Sequence, residues 1–574
     1  MDRMELAHLL AVARGDIPAD LLLENGYVVN VYTGEILDAQ VAIANDRIAA
    51  VGQGYAGKKR VDLHGGIVVP GLIDTHVHIE SSMCTPREFA SVVLPHGVTT
   101  VIADPHEIAN VAGVAGIRYI LEASEDLPLT VFVTLPSCVP ATHMGTAGAS
   151  LEAEDLVLLR GLDRVLGLAE FMNVPGATLG MPGAVEKLLA FQDGHIDGHA
   201  PGITGQQLQA YIAAGPSTDH ESSNAEEALE KARLGMTVLL REATSARNLQ
   251  NLLPAVTAAN SRRFAFATDD RHPADLITTG TIDNHIRLAI AAGLDPVTAV
   301  TMATLNGAEA FGLRDRGAIG PGRRADLVIT PSLSDFRADV VVAGGRIVAE
   351  GGALIAPLGD EDLDLSAVRH TVAVDVDGLS FQIPARGKLI RVIGVNPDTL
   401  VTEARILPAS IVLGEAVVDL TRDLLKVATI ERHRGTGNVG LGFVQGLGLK
   451  AGAIAGTVAH DCHNITVAGV SDVELLAAVS ALRALGGGLV AVRDGALLAA
   501  VPLPIGGLMS DRPAEVVRRQ MDALIAAVHS LGSTLHDPLM QLGFLALEVI
   551  PHLKLTDLGL VDVDAFKLVS LWAD

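Results

Sequence analysis

Along residues 67–312, apolar runs too short for helices alternate with longer stretches whose apolar positions recur at helical spacing. The runs are VTTVIAD (98–104), LTVFVTLPS (129–137), RVLGLAEFM (164–172), IDGHA (196–200), STDHESS (217–223), MTVLLRE (236–242) and RFAFATDD (263–270). IVVPGLIDTHVHIESS (67–82) precedes them. Between the runs, HEIANVAGVAGIRYILEAS, GAVEKLLAFQ, TGQQLQAYIAAG, NAEEALEKARLG and IDNHIRLAIAAGL read as helices, and another starts at about Pro86. Strands alternating with helices of this length argue for a parallel sheet. Eight such units predict an α/β chain closing into a (β/α)8 barrel.

The flanks have a different texture. Residues 20–66 read as several strands joined by Gly and Asn turns. Gly322–Gly352 has the same texture, and its VVAGGRIVAEG echoes IANDRIAAVG upstream. The two pieces predict one discontinuous β-sandwich domain with the barrel inserted in it. The expected division is 1–66 for a short amphipathic helix and the first part of the sandwich, 67–312 for the barrel and 313–356 for the second part of the sandwich. Residues 357–574 form a C-terminal α+β domain, with strand-like LVTEARILPASIVLG and a helix in AEVVRRQMDALIAAVHSLG.

Composition narrows the partners. A net charge of −25 argues against a nucleic-acid backbone or an anionic membrane. The N-terminus shows no signal cleavage pattern, and no run is apolar enough to span a membrane. Cys84, Cys138 and Cys462 form no CxxC pair and no disulfide framework, which fits a reducing compartment and predicts a cytoplasmic protein. With hydrophobic residues at 49%, a homo-oligomer, dimer or higher, is expected.

Candidate chemistry gathers at the strand ends. His76 and His78 are two apart, so on a strand they face the same side and can present two imidazoles to one ion. In such a barrel the chemistry sits at the carboxyl ends of the strands. Asp104, Glu170, His199, His220, Asp269 and Asp270 all fall there. This matches a two-metal site: His76 and His78 with one ion, His199 and His220 with the other, Glu170 between them and Asp269 completing the first. Mixed imidazole and carboxylate donors suit Mn, Fe or Zn.

PGLIDTHVH resembles the first-strand signature of the amidohydrolase superfamily, metal-dependent hydrolases on a (β/α)8 barrel. ADPHEIANV, GHAPGITG, STDHES and ATDDRHP, in that order, look more narrowly like adenine deaminases, and VAHDCHNI resembles that family's extra domain. Many amidohydrolases bridge their metals with a carboxylated lysine at strand four. Here GLAEFMNVPG offers Glu170 and no lysine, since Lys187 belongs to the next helix. The resemblance implies metal-dependent hydrolytic deamination of adenine to hypoxanthine and ammonia, with two divalent ions, manganese or iron ahead of zinc. The expected partners are adenine and water.

Within that chemistry Asp269 takes a proton from the attacking water and delivers it toward the leaving amine. A carboxylic acid near N1 would draw electrons from the ring. Glu221, beside His220, and Glu107, beside His106, are the candidates, although Glu221 also reads as a helix-start carboxylate. Asp270 is a candidate acceptor for a ring N–H. Asp104 either accepts a proton, holds the metal-binding residues from behind, or caps the helix that follows it. The HDCHN segment, His460 to Asn464, reads as a loop approaching the barrel mouth or as a polar turn within its own domain. The competing functions are an amidohydrolase acting on another small heterocycle and a non-catalytic barrel scaffold.

Overall fold

The computed structural model describes residues 1–359, 363–397 and 399–574. The strands of the central unit are β1 (Leu72–Val77), β2 (Val98–Ala103), β3 (Thr130–Leu135), β4 (Val165–Phe171), β5 (His195–Gly198), β6 (Thr218–Asp219), β7 (Thr237–Arg241) and β8 (Phe264–Ala267). They are parallel and stand in chain order, β1 to β5 in one sheet and β6 to β8 in a second. Two seams join the sheets. Ser217 N–H donates to Ile196 O at 3.0 Å, and Asp269 N–H donates to His76 O at 3.0 Å beside a parallel bridge from Val77 to Asp269. The eight strands therefore close into a barrel. Every residue of β1, β2, β7 and β8 is buried, which is why these strands read as continuous apolar runs rather than alternating ones.

Two details differ from the sequence reading. HEIANVAGVAGIRYILEAS forms two helices, His106–Ala112 and Val114–Ala123, rather than one. Gly113 breaks the run at φ 59°, ψ −137°, a backbone setting that favours glycine. Gly116 then lets the second helix fold back closely, since a Cβ there would sit 2.7 Å from Ile108 O.

The second difference concerns Ile67–Pro70, read as the front of the first barrel strand. It pairs antiparallel with Leu327–Thr330 and parallel with Tyr27–Asn30, inside the flanking sheet. Gly71 makes the hand-over to the barrel, where a Cβ would lie 2.2 Å from Thr99 Oγ1. The flanking unit has this seven-stranded sheet and a four-stranded one, built from Ala19–Glu24, Gln40–Ala44, Arg47–Gly52 and Gly57–Asp62. Leu21, Ile43 and Val41 pack with Val68, Leu327 and Ile329 in one core. The helix Arg3–Ala13, capped by Asp2 and Glu5, adds Leu9 and Val12 to a smaller one.

The last third carries an eight-stranded sheet with a helix on each face. Along its strand Leu424–Ile430, Val427 joins Val517 and Leu524 of helix Ala514–Ser530, while Ala428 joins Leu475 and Val479 of helix Asp472–Leu485. Neighbouring strand residues point to opposite faces, so the two cores lie on opposite sides. This region also meets the rim of the barrel. Ser510 N–H donates to Met83 O at 2.9 Å, Thr142 Oγ1 to Glu548 Oε1 at 2.7 Å, and Thr146 Oγ1 to Asp557 Oδ2 at 2.7 Å. Among the described residues no helix is long and apolar enough to cross a membrane.

Candidate metal centre and active site

His76 and His78 leave the end of β1 with their rings anchored from behind. His76 Nδ1–H donates to Asp197 Oδ2 at 2.8 Å, and His78 Nδ1–H donates to the Asp104 carbonyl at 3.0 Å. Burial raises Asp197, but the hydrogen bond from His76 and the charges of the neighbouring histidines together hold the carboxyl down at about 2. With both Nδ1 atoms donating, the two Nε2 atoms are the ones turned toward a shared ion, where each would offer its lone pair once unprotonated. They face each other at 3.2 Å. Asp269 Oδ1 lies 3.6 Å from one and 3.2 Å from the other, and Glu170 Oε1 lies 3.6 Å from His78 Nε2. Lone pairs and carboxylate oxygens packed this closely repel unless positive charge sits among them. The donor set fits divalent cations, and the acceptors already converge on one place.

Glu170, from the end of β4, stands at the centre. Its Oε2 meets His199 Nδ1 at 2.5 Å and His220 Nε2 at 3.2 Å. Its Oε1 meets His106 Nδ1 at 3.3 Å on the other side. Burial pushes the Glu170 carboxyl up, but the charges of His199 and His220 and their hydrogen bonds hold it well below the usual range. The rings of His76 and His220 stack at 3.9 Å. All six expected metal ligands (His76, His78, Glu170, His199, His220 and Asp269) therefore lie in one cluster. Lys187 does not reach it and donates to Ser137 O at 2.9 Å instead.

His106, Asp197 and Arg241 were not singled out from the sequence, and each touches the cluster. His106 joins His78, Asp104 and Glu170 in a group whose donor atoms all lie within 4.8 Å of one another. Its signal was its place just past a strand end, directly after Asp104 and Pro105. Asp104 is turned toward His106: Oδ1 accepts from the His106 backbone N–H at 3.1 Å, and Oδ2 lies 3.1 Å from His106 Nδ1.

Arg241 changes the reading of Glu221. Its guanidinium grips both Glu221 oxygens and also donates to Asp269 Oδ2 at 2.9 Å. Burial raises Glu221, but the charges of Arg241, His199 and His220 together hold its carboxyl below the usual range. An ion-paired carboxylate is well suited to accept hydrogen bonds, and Glu221 holds Arg241 in place against Asp269. Glu107 is engaged likewise: His460 Nδ1 lies 2.6 Å from Oε1, and His463 Nε2 makes a short hydrogen bond to Oε2. Asp270 differs. Ser81 Oγ donates to its Oδ1 at 2.5 Å, and burial and then the neighbouring Asp269 charge push its carboxyl up. Asp269 itself sits at φ 57°, a left-handed setting uncommon for a non-glycine residue and often found at functional sites.

Residues 67–348 match the amidohydrolase family, and residues 399–567 match the adenine deaminase C-terminal domain. An adenine deaminase of Desulfatibacillum aliphaticivorans is 51% identical over 98% of this chain and 99% of its own length. The chain belongs to the adenine deaminase family. An adenine deaminase of Cereibacter sphaeroides is 48% identical over 99% of this chain and 100% of its own. An adenine deaminase 2 of Carboxydothermus hydrogenoformans is likewise 48% identical, over 98% and 99%. This member of the adenine deaminase family thus matches its relatives from end to end, the C-terminal region included.

Proposed function

We propose that this chain hydrolyses adenine to hypoxanthine and ammonia at a binuclear centre held by His76, His78, Glu170, His199, His220 and Asp269. The observation that carries the reading is the place of Glu170, between two histidine groups and in contact with both. These residues would hold divalent ions, which when bound would lower the pKa of water from about 15.7 toward about 7 and so supply hydroxide at neutral pH. Manganese or iron is favoured, with zinc as the alternative.

The protein's own groups move the protons. Water adds its oxygen to C6, the C6–N bond breaks, and of the two water protons one ends on the leaving amine and one on N1. Asp269 is placed to carry the first: Oδ2 is fixed by Arg241 while Oδ1 faces the histidines. Asp270 stands at the mouth with Oδ1 held by Ser81, which leaves its second oxygen for a ring nitrogen. Glu221, ionised against Arg241, fixes that arginine and through it Asp269. Three free, buried cysteines suit a cytoplasmic enzyme, and a homo-oligomer remains our expectation.

The test is ammonia release from adenine, adenosine, guanine and cytosine by enzyme purified from manganese-supplemented medium with iron withheld. Release from adenine alone, one ammonia per hypoxanthine, is expected. Fully metallated enzyme that releases none from adenine would overturn the substrate.

A further inference from the structure

The segment Ala459–Asn464 comes from the last third of the chain, yet it ends on a carboxylate of the barrel. His460 and His463 take the two oxygens of Glu107, and Glu107 lies beside His106, whose Nε2 is 3.6 Å from Glu107 Oε1. The segment is pinned from behind. Arg432, fully buried, donates through Nε to His463 O, through Nη2 to Gly506 O at 2.8 Å and through Nη1 to Thr371 O at 2.9 Å. His433 Nε2 donates to Cys462 O at 2.7 Å. His463 sits at φ 52°, a conformation that persists where its surroundings over-determine it.

Two imidazoles around a buried carboxylate invite a third cation, but the tautomer of His463 speaks against one. Ala459 N–H donates to His463 Nδ1 at 3.2 Å, so Nδ1 keeps its lone pair and Nε2 carries the hydrogen. That hydrogen goes to Glu107, and His463 has no lone pair left to offer at this place. His460 differs from His463. Its Nδ1 is held by Glu107 and its ring lies flat on Phe544, with centroids 4.2 Å apart and planes 12° apart. Its Nε2 has no hydrogen-bond partner among the described residues and is not sealed from solvent. The side chain keeps 11% of its exposure, and Glu107 ties it to His106, whose Nδ1 lies 3.3 Å from Glu170 Oε1.

We propose that His460 binds substrate, its Nε2 hydrogen-bonding a ring nitrogen of the purine, with Glu107 and His463 as positioning residues. The inference rests on the adenine reading above. A carboxylate at one ring nitrogen fixes the tautomer and direction of the other, as it does for histidines that must point accurately. Phe544 holds the ring plane. The C-terminal region thereby supplies one side chain to a site otherwise assembled by the barrel.

The test is steady-state kinetics on manganese-loaded His460→Asn, His460→Gln and Glu107→Gln, with metal content and melting temperature measured on each preparation. Loss of one oriented hydrogen bond predicts a KM for adenine raised on the order of ten-fold in His460→Asn and a kcat changed much less. Inhibition by hypoxanthine should weaken in step. Glu107→Gln should move KM the same way, and the double variant should be no worse than His460→Asn alone. His460→Gln, whose amide nitrogen reaches the position of Nε2 where that of Asn reaches only the position of Nδ1, should fall between wild type and His460→Asn. Unchanged KM in both His460 variants beside an active wild type would overturn the inference alone, as would loss of bound metal in both. A metal-loaded wild type inactive on adenine would instead overturn the substrate reading beneath it.

Discussion

The two oxygens of Glu170 contact four imidazoles: His199 and His220 on Oε2, His78 and His106 on Oε1. Replacing one oxygen by an amide removes negative charge from the point where the two histidine groups meet. Glu170→Gln should therefore lose metal together with activity, whereas Asp269→Asn should keep metal more nearly and lose turnover by at least about 10²-fold. Metal analysis beside ammonia release separates the two. Near-wild-type rates in either metal-replete variant would remove that residue from the mechanism. At this scale the donors were legible because His-x-His on a strand and carboxylates at strand ends are local patterns. Asp197 and Arg241 were not, because their roles come from partners far away in sequence, whereas His106 carried a local signal beside Asp104. Arg241 matters through Glu221 and Asp269, and Asp197 through His76. The ion pair of Glu221 with Arg241 was hidden for the same reason: nothing next to Glu221 in sequence announces that guanidinium.

At the scale of elements, the barrel strands were readable because burial on both faces leaves unbroken apolar runs. The boundary at Pro70–Gly71 was not, since apolar residues on both sides of it read as one strand. What separates Ile67–Pro70 from Leu72–Val77 is pairing: the first joins Leu327–Thr330, the second Val98–Ala103. Gly71 is where the chain changes sheets. An added Cβ would meet Thr99 Oγ1 at 2.2 Å and Asp326 Cβ at 3.0 Å, both in buried side chains. Gly71→Ala should therefore destabilise by about 1–3 kcal/mol through overpacking, read as a lower urea midpoint. A midpoint equal to wild type would mean the hand-over has slack that the contacts do not show.

At the scale of the whole molecule, the C-terminal region lies on the barrel rim and carries an unusual cation. Lys554 is fully buried, and its Nζ donates to Phe544 O at 2.9 Å and Leu400 O at 3.1 Å. Burial lowers its ammonium from 10.5 to about 7. Between those values the unfolded chain binds a proton that the folded chain has lost, so this group makes stability rise with pH from about 7 toward 10.5. The stability difference between wild type and Lys554→Met should accordingly shift in favour of wild type between pH 7 and pH 9. The limit is about 1.4 kcal/mol per pH unit, measured by urea unfolding. A difference flat with pH would mean that Lys554 stays charged in the fold.

The central claim is two cations gathered around one glutamate. Metal-free enzyme titrated with manganese, with ammonia release from adenine followed at each addition, tests it most directly. The account predicts activity that climbs until about two ions are bound per chain and then levels off. Full activity at one ion per chain would contradict it, leaving Glu170 a ligand of a single metal.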